Sequence, residues 1–233
     1  APQAQPKHCV FEYIYFMRAN TLADGYFVET VREQWGVLMA KQEKKENTDL
    51  WEHINGLNPI VVGAPSTGIP SGKSYAKEMK WTYQQLLKKR PKKGRTFILP
   101  TNLERQKACR NKFIINETEV SNKCIIIVDD SIVRGNTLTV LIEMFKQAGA
   151  LEVHVRSVSP PVKHPCYFGV DIPTREELLS NQGTLEENTK QIGANSLLYL
   201  SQQNMLDAFN NKDNNLFCHG CLSGEYAPEL LDF

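Results

Sequence analysis

Two adjacent carboxylates precede a short loop rich in hydroxyl and glycine residues near the middle of the chain. Residues 128–137 read VDDSIVRGNT and follow a run of apolar residues. Backbone N–H groups at the start of a helix, helped by the Ser131 and Thr137 hydroxyls, suit a phosphate monoester. Asp129 and Asp130 would instead bind sugar hydroxyls or a hard cation such as Mg²⁺. The pattern favours a sugar phosphate bound with a metal, although two adjacent acids could also simply cap a helix.

The elements around this loop predict an α/β fold. Residues 123–128 are a continuously apolar strand, residues 137–148 have helical spacing and end before Gly149, and residues 151–158 form the next strand. This order indicates a mostly parallel twisted sheet with helices on both faces. Such sheets bind ligands at the carboxyl ends of their strands, where the loop lies.

Further elements follow from apolar spacing and from turn residues. We predict strands at residues 10–16, 59–63 and 196–200, helices at residues 26–45, 71–87, 102–112, 174–180 and 185–192, and a loop at residues 64–70. Beyond residue 200 we expect an irregular, partly helical extension.

Composition excludes some classes of protein. The chain has 233 residues and a net charge of +1, so no global charge favours nucleic acid. No apolar run approaches the roughly 20 residues of a membrane span. The basic stretch at residues 88–95 reads KKRPKKGR, which suits a solvated loop or a nucleic-acid patch. Aromatic residues do not alternate with its charges, and this disfavours nucleic acid.

Six cysteines in a chain with no apolar leader argue for a reducing compartment and against a disulfide framework. The pair Cys218 and Cys221, in CHGC, could be half of a zinc site, a redox pair or neither. Cys109 and Cys124 lie in helical and strand patterns, so we expect them to be small buried residues.

The string VDDSIVRGNT resembles the phosphoribosyl pyrophosphate (PRPP) fingerprint of the type I phosphoribosyltransferases, in the form most similar to the amidophosphoribosyltransferase family. Other stretches similar to that family follow in order: CVFEYIYF at 9–16, GRTFI at 94–98, VRSVSPP at 155–161, HPC at 164–166, IPTREEL at 172–178, GANS at 193–196 and CLSGEY at 221–226. The resemblance implies the type I phosphoribosyltransferase fold. It also implies displacement of pyrophosphate from PRPP by ammonia, normally from glutamine, to give 5-phosphoribosylamine in the first step of purine synthesis.

The resemblance also assigns site residues. PRPP binding is implied for Asp129, Asp130, Ser131, Ile132, Val133, Arg134, Gly135, Asn136 and Thr137, and the pyrophosphate loop for Ser66, Thr67 and Gly68. Mg²⁺ would be bound through Thr67, Asp129 and Asp130. Lid and basic contacts are implied for Lys89, Arg95, Arg105, Arg110 and Lys112.

Two departures from the family pattern bear on turnover. Ser66 stands where the family has an acid, which predicts weaker binding of Mg²⁺ and PRPP. Residues 89–93, KRPKK, stand where the family lid reads KNRYV, so the charge is kept while the pattern is changed. A non-catalytic PRPP or purine-nucleotide sensor is therefore the rival hypothesis, and a nucleic-acid-binding module is a remoter one.

The resemblance brings together Cys9, Cys166, Cys218 and Cys221 as ligands of a 4Fe-4S cluster, which four thiolates satisfy. Zinc also fits four cysteines. We expect residues 1–8 to be the linker from an N-terminal glutaminase domain, residues 9–200 to be the phosphoribosyltransferase domain and residues 201–233 to carry Cys218 and Cys221. The expected partners are a glutaminase in cis or in trans, regulatory purine nucleotides and further copies of the chain, and the expected location is cytoplasmic.

Overall fold

Strands and helices alternate along the chain in the computed structural model, which describes residues 7–90, 110–172, 174–209 and 216–226. The strands are β1 (His8–Cys9), β2 (Leu22–Ala23), β3 (Tyr26–Phe27), β4 (Ile60–Gly63), β5 (Thr82–Tyr83), β6 (Leu87–Lys89), β7 (Phe113–Ile115), β8 (Cys124–Asp129), β9 (Glu152–Ser157), β10 (Ser196–Tyr199) and β11 (Phe217–Cys218). The helices are α1 (Val28–Glu46), α2 (Thr48–Gly56), α3 (Gly68–Met79), α4 (Asn136–Gln147), α5 (Leu185–Ile192), α6 (Gln202–Asp207) and α7 (Gly220–Ser223). Within these ranges, no helix combines the length and the apolar character that a membrane crossing requires.

A five-stranded parallel sheet with the spatial order β10-β9-β8-β4-β5 organises these elements. Successive side chains of the central strand β8 point to opposite faces, as in any strand. Ile126 belongs to a core with Trp35 of α1 and Tyr75 of α3. Ile127 belongs to a second core with Phe145 of α4. The predicted fold, a parallel sheet covered on both faces, is confirmed.

Glycines allow α3 to begin against the ends of two strands. A side-chain carbon at Gly68 would lie 2.5 Å from the carbonyl oxygen of Val128 in β8. One at Gly63 would lie 2.7 Å from the Cα atom of Ile69. Both separations are far shorter than a van der Waals contact, so the backbones can approach this closely only because glycine has no side chain. The loop after β4 is thereby held beside the loop after β8.

A buried ion pair joins the sheet to α1. Arg156 of β9 and Glu43 of α1 are both fully buried, and Arg156 Nε donates to Glu43 Oε2 at 2.7 Å. The Tyr75 hydroxyl donates to the same carboxylate oxygen at 2.5 Å. Because a buried charge without its partner is costly, each member of this pair depends on the other.

The strand predicted at residues 10–16 is wrong, because a π-type helical turn spans Glu12–Phe16. The buried side chains of the segment are Val10, Phe11, Tyr13 and Ile14. Their spacing fits one face of a helix and not the alternation of a strand. Arg32 of α1 fixes the turn, since its Nε donates to the Tyr13 carbonyl and its Nη2 to the Met17 carbonyl, both at 2.9 Å.

Two predicted helices also differ from the structure. The helix predicted at residues 71–87 starts at Gly68 and ends at Met79, because Lys80 adopts a left-handed φ of 61° and its successor Trp81 bonds back to the Ala76 carbonyl. Residues 174–180 form two 3-10 turns separated by the extended residue Leu178.

The other predicted elements fare as follows. The helices at residues 26–45, 137–148 and 185–192 and the strands at residues 59–63, 123–128, 151–158 and 196–200 are confirmed within a few residues at each end. The helix predicted at residues 102–112 falls almost wholly outside the described residues.

Candidate active site

A cavity of about 680 Å³ opens at the carboxyl end of β8 and the start of α4. Its lining includes every residue from Asp129 to Leu138, so the whole predicted PRPP loop faces one space. Thr67 lines the cavity from the loop after β4. Lys89, the last residue of β6, and Lys112, the residue before β7, line it from the antiparallel pair of strands β6 and β7. The edge of the sheet therefore brings together acidic, hydroxyl and basic groups that are distant in sequence.

The two adjacent carboxylates have different surroundings. Asp130 is 7% exposed, and its carboxylate accepts hydrogen bonds from the Thr67 hydroxyl and, at 2.6 Å, from the Ser131 hydroxyl. Asp129 is less enclosed, and its Oδ1 accepts the backbone N–H of Asp130 at 2.9 Å. Asp130 is thus held in place by protein donors, while Asp129 keeps acceptor capacity toward the cavity.

Burial and mutual repulsion govern the charge of this pair. Burial raises the pKa of Asp129 well above its usual range, and the neighbouring Asp130 raises it further. Burial also raises the pKa of Asp130, while the bonds from Ser131 and Thr67 and the charges of Arg32 and Lys89 lower it. A cation bound here would relieve the repulsion, so the arrangement favours a positively charged ligand at the two carboxylates.

The predicted phosphate loop ends in a left-handed residue. Gly135 has φ of 78° and precedes α4, and a side-chain carbon there would lie 3.2 Å from side-chain atoms of Ile192 and Leu179. No side chain in the described ranges caps the start of α4. The first backbone N–H groups of the helix therefore remain for an anion in the cavity.

The predicted pyrophosphate loop is only partly in the cavity. Thr67 lines it, whereas Ser66 is exposed and is not part of the lining. Gly68 is buried as the first residue of α3 and serves the close approach to β8. Of the three loop residues predicted from sequence, Thr67 alone offers its side chain to the site.

The predicted basic residues divide into different groups. Lys89 and Lys112 line the cavity. Arg134 also borders it, but its Nε donates to Glu177 at 2.8 Å in an exposed ion pair. Arg110 instead contacts Gln147 of α4. Arg95 and Arg105 lie outside the described residues.

A match to known proteins covers the acidic pair and the loops beside it. Residues 37–160 match the model of the phosphoribosyl transferase domain family, a range that spans Thr67, the acidic pair and the loop that opens α4. The chain belongs to the phosphoribosyltransferase family.

Relatives with similar sequences and structures indicate which members of the family this chain resembles. This phosphoribosyltransferase chain is 36% identical over 233 residues to the amidophosphoribosyltransferase of Drosophila melanogaster, covering 96% of this chain and 41% of that protein. It is 39% identical to that of Synechococcus elongatus, covering 97% of this chain and 43% of the relative. The structure of the glutamine PRPP amidotransferase from B. subtilis complexed with ADP and GMP superposes with a TM-score of 0.82 at 34% identity, covering 97% of this chain and 48% of that one. The chain thus spans less than half the length of these relatives.

The four cysteines predicted as cluster ligands lie near one another. Cys9 and Cys218 are paired residues of the parallel strands β1 and β11. Burial, together with the nearby thiols of Cys9, Cys166 and Cys218, raises the pKa of the Cys221 thiol to about 12. The Cys221 carbonyl accepts the backbone N–H of His164 at 3.0 Å, which ties it to the segment of Cys166.

Several residues of the site escaped the sequence prediction. Phe11, Tyr15 and Phe16 form an aromatic wall of the cavity, and their segment was wrongly predicted as a strand. Arg32 does not line the cavity, but it lies near enough to Asp130 for its charge to lower the pKa of that carboxyl. Its position four residues after Val28 and three before Trp35 in α1 is a sequence signal that could have revealed it, since that spacing places a charge on the apolar face of a helix, where it needs a partner.

Proposed function

We propose that this chain is the phosphoribosyltransferase half of an amidophosphoribosyltransferase, which displaces pyrophosphate from PRPP with ammonia. One observation carries the proposal: the Asp129 and Asp130 pair follows the central strand, shares a cavity with an uncapped helix start, and is bonded to Thr67 from the neighbouring loop. Sugar hydroxyls, a 5′-phosphate and a metal-bound pyrophosphate require these three kinds of group together. The named relatives support the same activity.

Each part of PRPP has a counterpart in the cavity. The 5′-phosphate would bind the residues from Ser131 to Thr137 at the start of α4, where the N–H groups point toward an anion. The ribose hydroxyls would bind the carboxylates of Asp129 and Asp130. The pyrophosphate would lie toward Thr67 and the two lysines of the lining, Lys89 and Lys112, which offer positive charge. Mg²⁺ held by Asp129, Asp130 and Thr67 would neutralise charge on the leaving pyrophosphate.

The chemistry is a displacement at C1 of the ribose. The bond from C1 to the pyrophosphate oxygen breaks with its electron pair, the nitrogen of ammonia forms the new bond to C1, and the nitrogen then loses a proton to solvent or to phosphate. The sugar carries positive charge as the leaving group departs. The chain contributes by positioning, by neutralising the leaving group and by excluding water, and no side-chain nucleophile is needed. The aromatic wall of Phe11, Tyr15 and Phe16 suits the exclusion of water.

Ammonia would come from a glutaminase domain, in the same polypeptide or in a partner. The relatives support this proposal, because each extends well beyond the part that this chain matches and one is named a glutamine PRPP amidotransferase. Purine nucleotides are proposed as regulators, since a similar enzyme is complexed with ADP and GMP. Residues 1–8 would link the glutaminase, and the assembled protein would be a homo-oligomer.

Cys9, Cys166, Cys218 and Cys221 are proposed to hold a 4Fe-4S cluster, which would pin β1, β11 and the segment after β9 together. A backbone N–H group already points at one of these sulfurs: Phe168 donates to Cys166 Sγ at 3.3 Å. At Cys9, burial raises the pKa of the thiol, and the backbone at Phe11 and Glu12 lowers it. Such donors stabilise a thiolate ligand.

The spacing of the four sulfurs favours a cluster over zinc. In a zinc tetrahedron with bonds of about 2.3 Å, the sulfurs would lie about 3.8 Å apart. Within the described ranges no three of these four sulfurs lie mutually within 4.8 Å, since Cys124, Glu152 and His154 are the only such group there. Anaerobically purified protein should be brown and contain iron and acid-labile sulfide. Colourless protein with bound zinc would refute the cluster.

Turnover tests the main proposal. Anaerobic protein is incubated with PRPP, Mg²⁺ and ammonium, and released pyrophosphate is measured. Release that requires ammonium supports the enzyme. Binding of PRPP with no release would support the sensor hypothesis instead. Ser66→Asp, which restores the acid of the family pattern, should leave Mg²⁺-dependent affinity unchanged, because Ser66 is exposed and lies outside the cavity lining.

A further inference from the structure

A second set of ligand atoms lies at the edge of the sheet opposite the cavity. Cys124 is the first residue of β8 and pairs with Glu152, the first residue of β9, whereas Asp129 ends β8 at the other edge. Cys124 Sγ, a Glu152 carboxylate oxygen and a His154 ring nitrogen all lie within 4.8 Å of one another. The three residues are distant from the PRPP loop and have no part in the proposed reaction.

The ring of His154 is held on both sides. Its Nε2 lies 2.8 Å from Glu152 Oε2, and its Nδ1 lies 2.8 Å from Ser196 Oγ. The ring is almost fully buried, with 1% of its side chain exposed. Ser196 Oγ also accepts Arg156 Nη1 at 2.9 Å, so the histidine is oriented by a continuous hydrogen-bond chain from the buried ion pair.

Glu152 connects this buried group to the surface. His53 of α2 places its Nε2 3.0 Å from Glu152 Oε1, on a side chain that is 54% exposed. Glu152 itself is 21% exposed. The group therefore has two enclosed members, Cys124 and His154, and an open side at His53 through which an ion can enter.

We propose that Cys124, Glu152 and His154 bind a divalent transition metal of the zinc class, with His53 completing the set. A thiolate, an imidazole and a carboxylate are the ligands that zinc takes in proteins. Zinc bonds of about 2.0–2.3 Å would place tetrahedral ligand atoms about 3.4–3.8 Å apart, so the present separations need only small side-chain shifts. An ordinary core would place apolar atoms around a buried cysteine, whereas here three possible ligands converge.

Protons must leave as the metal binds. The Cys124 thiol releases its proton to solvent and bonds the metal as a thiolate. The neutral His154 ring changes tautomer: the proton that Nε2 donates to Glu152 is released to solvent, and Nδ1 takes up one proton from solvent and donates it to Ser196 Oγ, so the ring stays neutral. Ser196 can accept this bond together with that of Arg156, because a hydroxyl oxygen has two lone pairs. The outer partner thus fixes the tautomer that a metal-binding histidine requires.

The metal would join β8, β9 and α2 at a point where β8 and β9 begin. Its effect would be structural, since the site is separated from the cavity by the length of β8. Loss of this metal should lower stability without changing affinity for PRPP. The inference stands or falls independently of the proposed transferase activity.

Cobalt titration of the full chain tests the proposal. Metal-free protein is titrated with Co²⁺, and the thiolate-to-cobalt absorption and the bound equivalents are compared between wild type and variants. Glu152→Gln, Cys124→Ser and His154→Gln should each lose one equivalent, while the matched control Glu143→Gln, at an exposed carboxylate of α4, should keep it. The cysteines near β11 contribute equally in all of these proteins, so the difference isolates the new site. Ser196→Ala should weaken Co²⁺ binding about 10- to 100-fold, as loss of an outer partner does.

A measurement on wild-type crystals covers the case in which a variant fails to fold. Crystals soaked in zinc should give an anomalous peak between Cys124 Sγ and His154 Nε2. Equal cobalt stoichiometry in wild type and Cys124→Ser, or the absence of that peak in zinc-saturated crystals, would overturn the proposal.

Discussion

Replacing Thr67 with valine removes one of the two hydroxyl donors to Asp130 while nearly keeping the shape of the side chain. Hydrogen bonds to charged groups contribute about 1.5–3 kcal/mol, and 1.4 kcal/mol is a factor of ten in affinity. Asp130 is 7% exposed, so water cannot readily replace the lost donor. We therefore expect Thr67→Val to bind PRPP in the presence of Mg²⁺ about ten- to hundred-fold more weakly than wild type.

The pH dependence of the loss has a definite sign. Burial raises the pKa of Asp130, and the bonds from Ser131 and Thr67 lower it because they favour the charged form. Without the Thr67 bond the carboxyl keeps its proton to higher pH, so metal-dependent binding in the variant should recover only under more alkaline conditions.

Calorimetric titration of Mg²⁺ and PRPP across a pH series measures both effects. Thr189→Val is the matched control, because its hydroxyl donates to the Leu185 carbonyl on the outer helix α5, away from the cavity. Equal affinities and equal pH profiles for Thr67→Val and wild type would refute the role given to Thr67.

Three other substitutions test separate parts of the molecule. Gly135→Ala should lower the free energy of unfolding by about 1–2 kcal/mol and weaken PRPP binding. The control Gly25→Ala, at a similar φ of 85° with open space around it, should leave PRPP binding unchanged. Equal PRPP affinities in the two variants would contradict the role of the loop. Arg156→Met should lower the free energy of unfolding, measured in urea, by about 3–5 kcal/mol because it leaves the buried Glu43 carboxylate without a partner. Adding Glu43→Leu should restore most of that loss. Failure of the double variant to recover would argue against the ion pair as the cause. Cys218→Ser should lose iron and sulfide on anaerobic purification yet still bind PRPP, and full iron content would remove Cys218 from the ligand set.

Local pattern predicted the centre of the fold well. The apolar run of β8, the loop and the helix α4 each carry their signal within a few residues, and Gly135 takes a left-handed φ of 78° directly before the helix. The resemblance of residues 128–137 to a known fingerprint then identified the family, which the match over residues 37–160 confirms.

Long-range contacts account for what the sequence did not predict. Aromatic and β-branched residues at 10–16 suggested a strand, but the bonds from Arg32 to the Tyr13 and Met17 carbonyls stabilise a helical turn, and these partners are distant in sequence. The bond between Thr67 and Asp130 likewise depends on Gly68, which lets two loops approach.

The prediction that Cys124 is simply a small buried residue illustrates the same limit. Its burial was predicted and is confirmed. Its neighbours Glu152 and His154 come from the next strand of the sheet, and only the pairing register of β8 and β9 brings them beside it. Spacing along the chain gives no sign of this group.

The most direct test of the central claim is calorimetric titration of wild type and of the double variant Asp129→Asn with Asp130→Asn by PRPP, with and without Mg²⁺. Asp207→Asn, at an exposed carboxylate of α6, is the control. We predict Mg²⁺-dependent binding in wild type and in the control, and no such binding in the double variant. Unchanged Mg²⁺-dependent affinity in the double variant would show that PRPP binds elsewhere and would contradict the account.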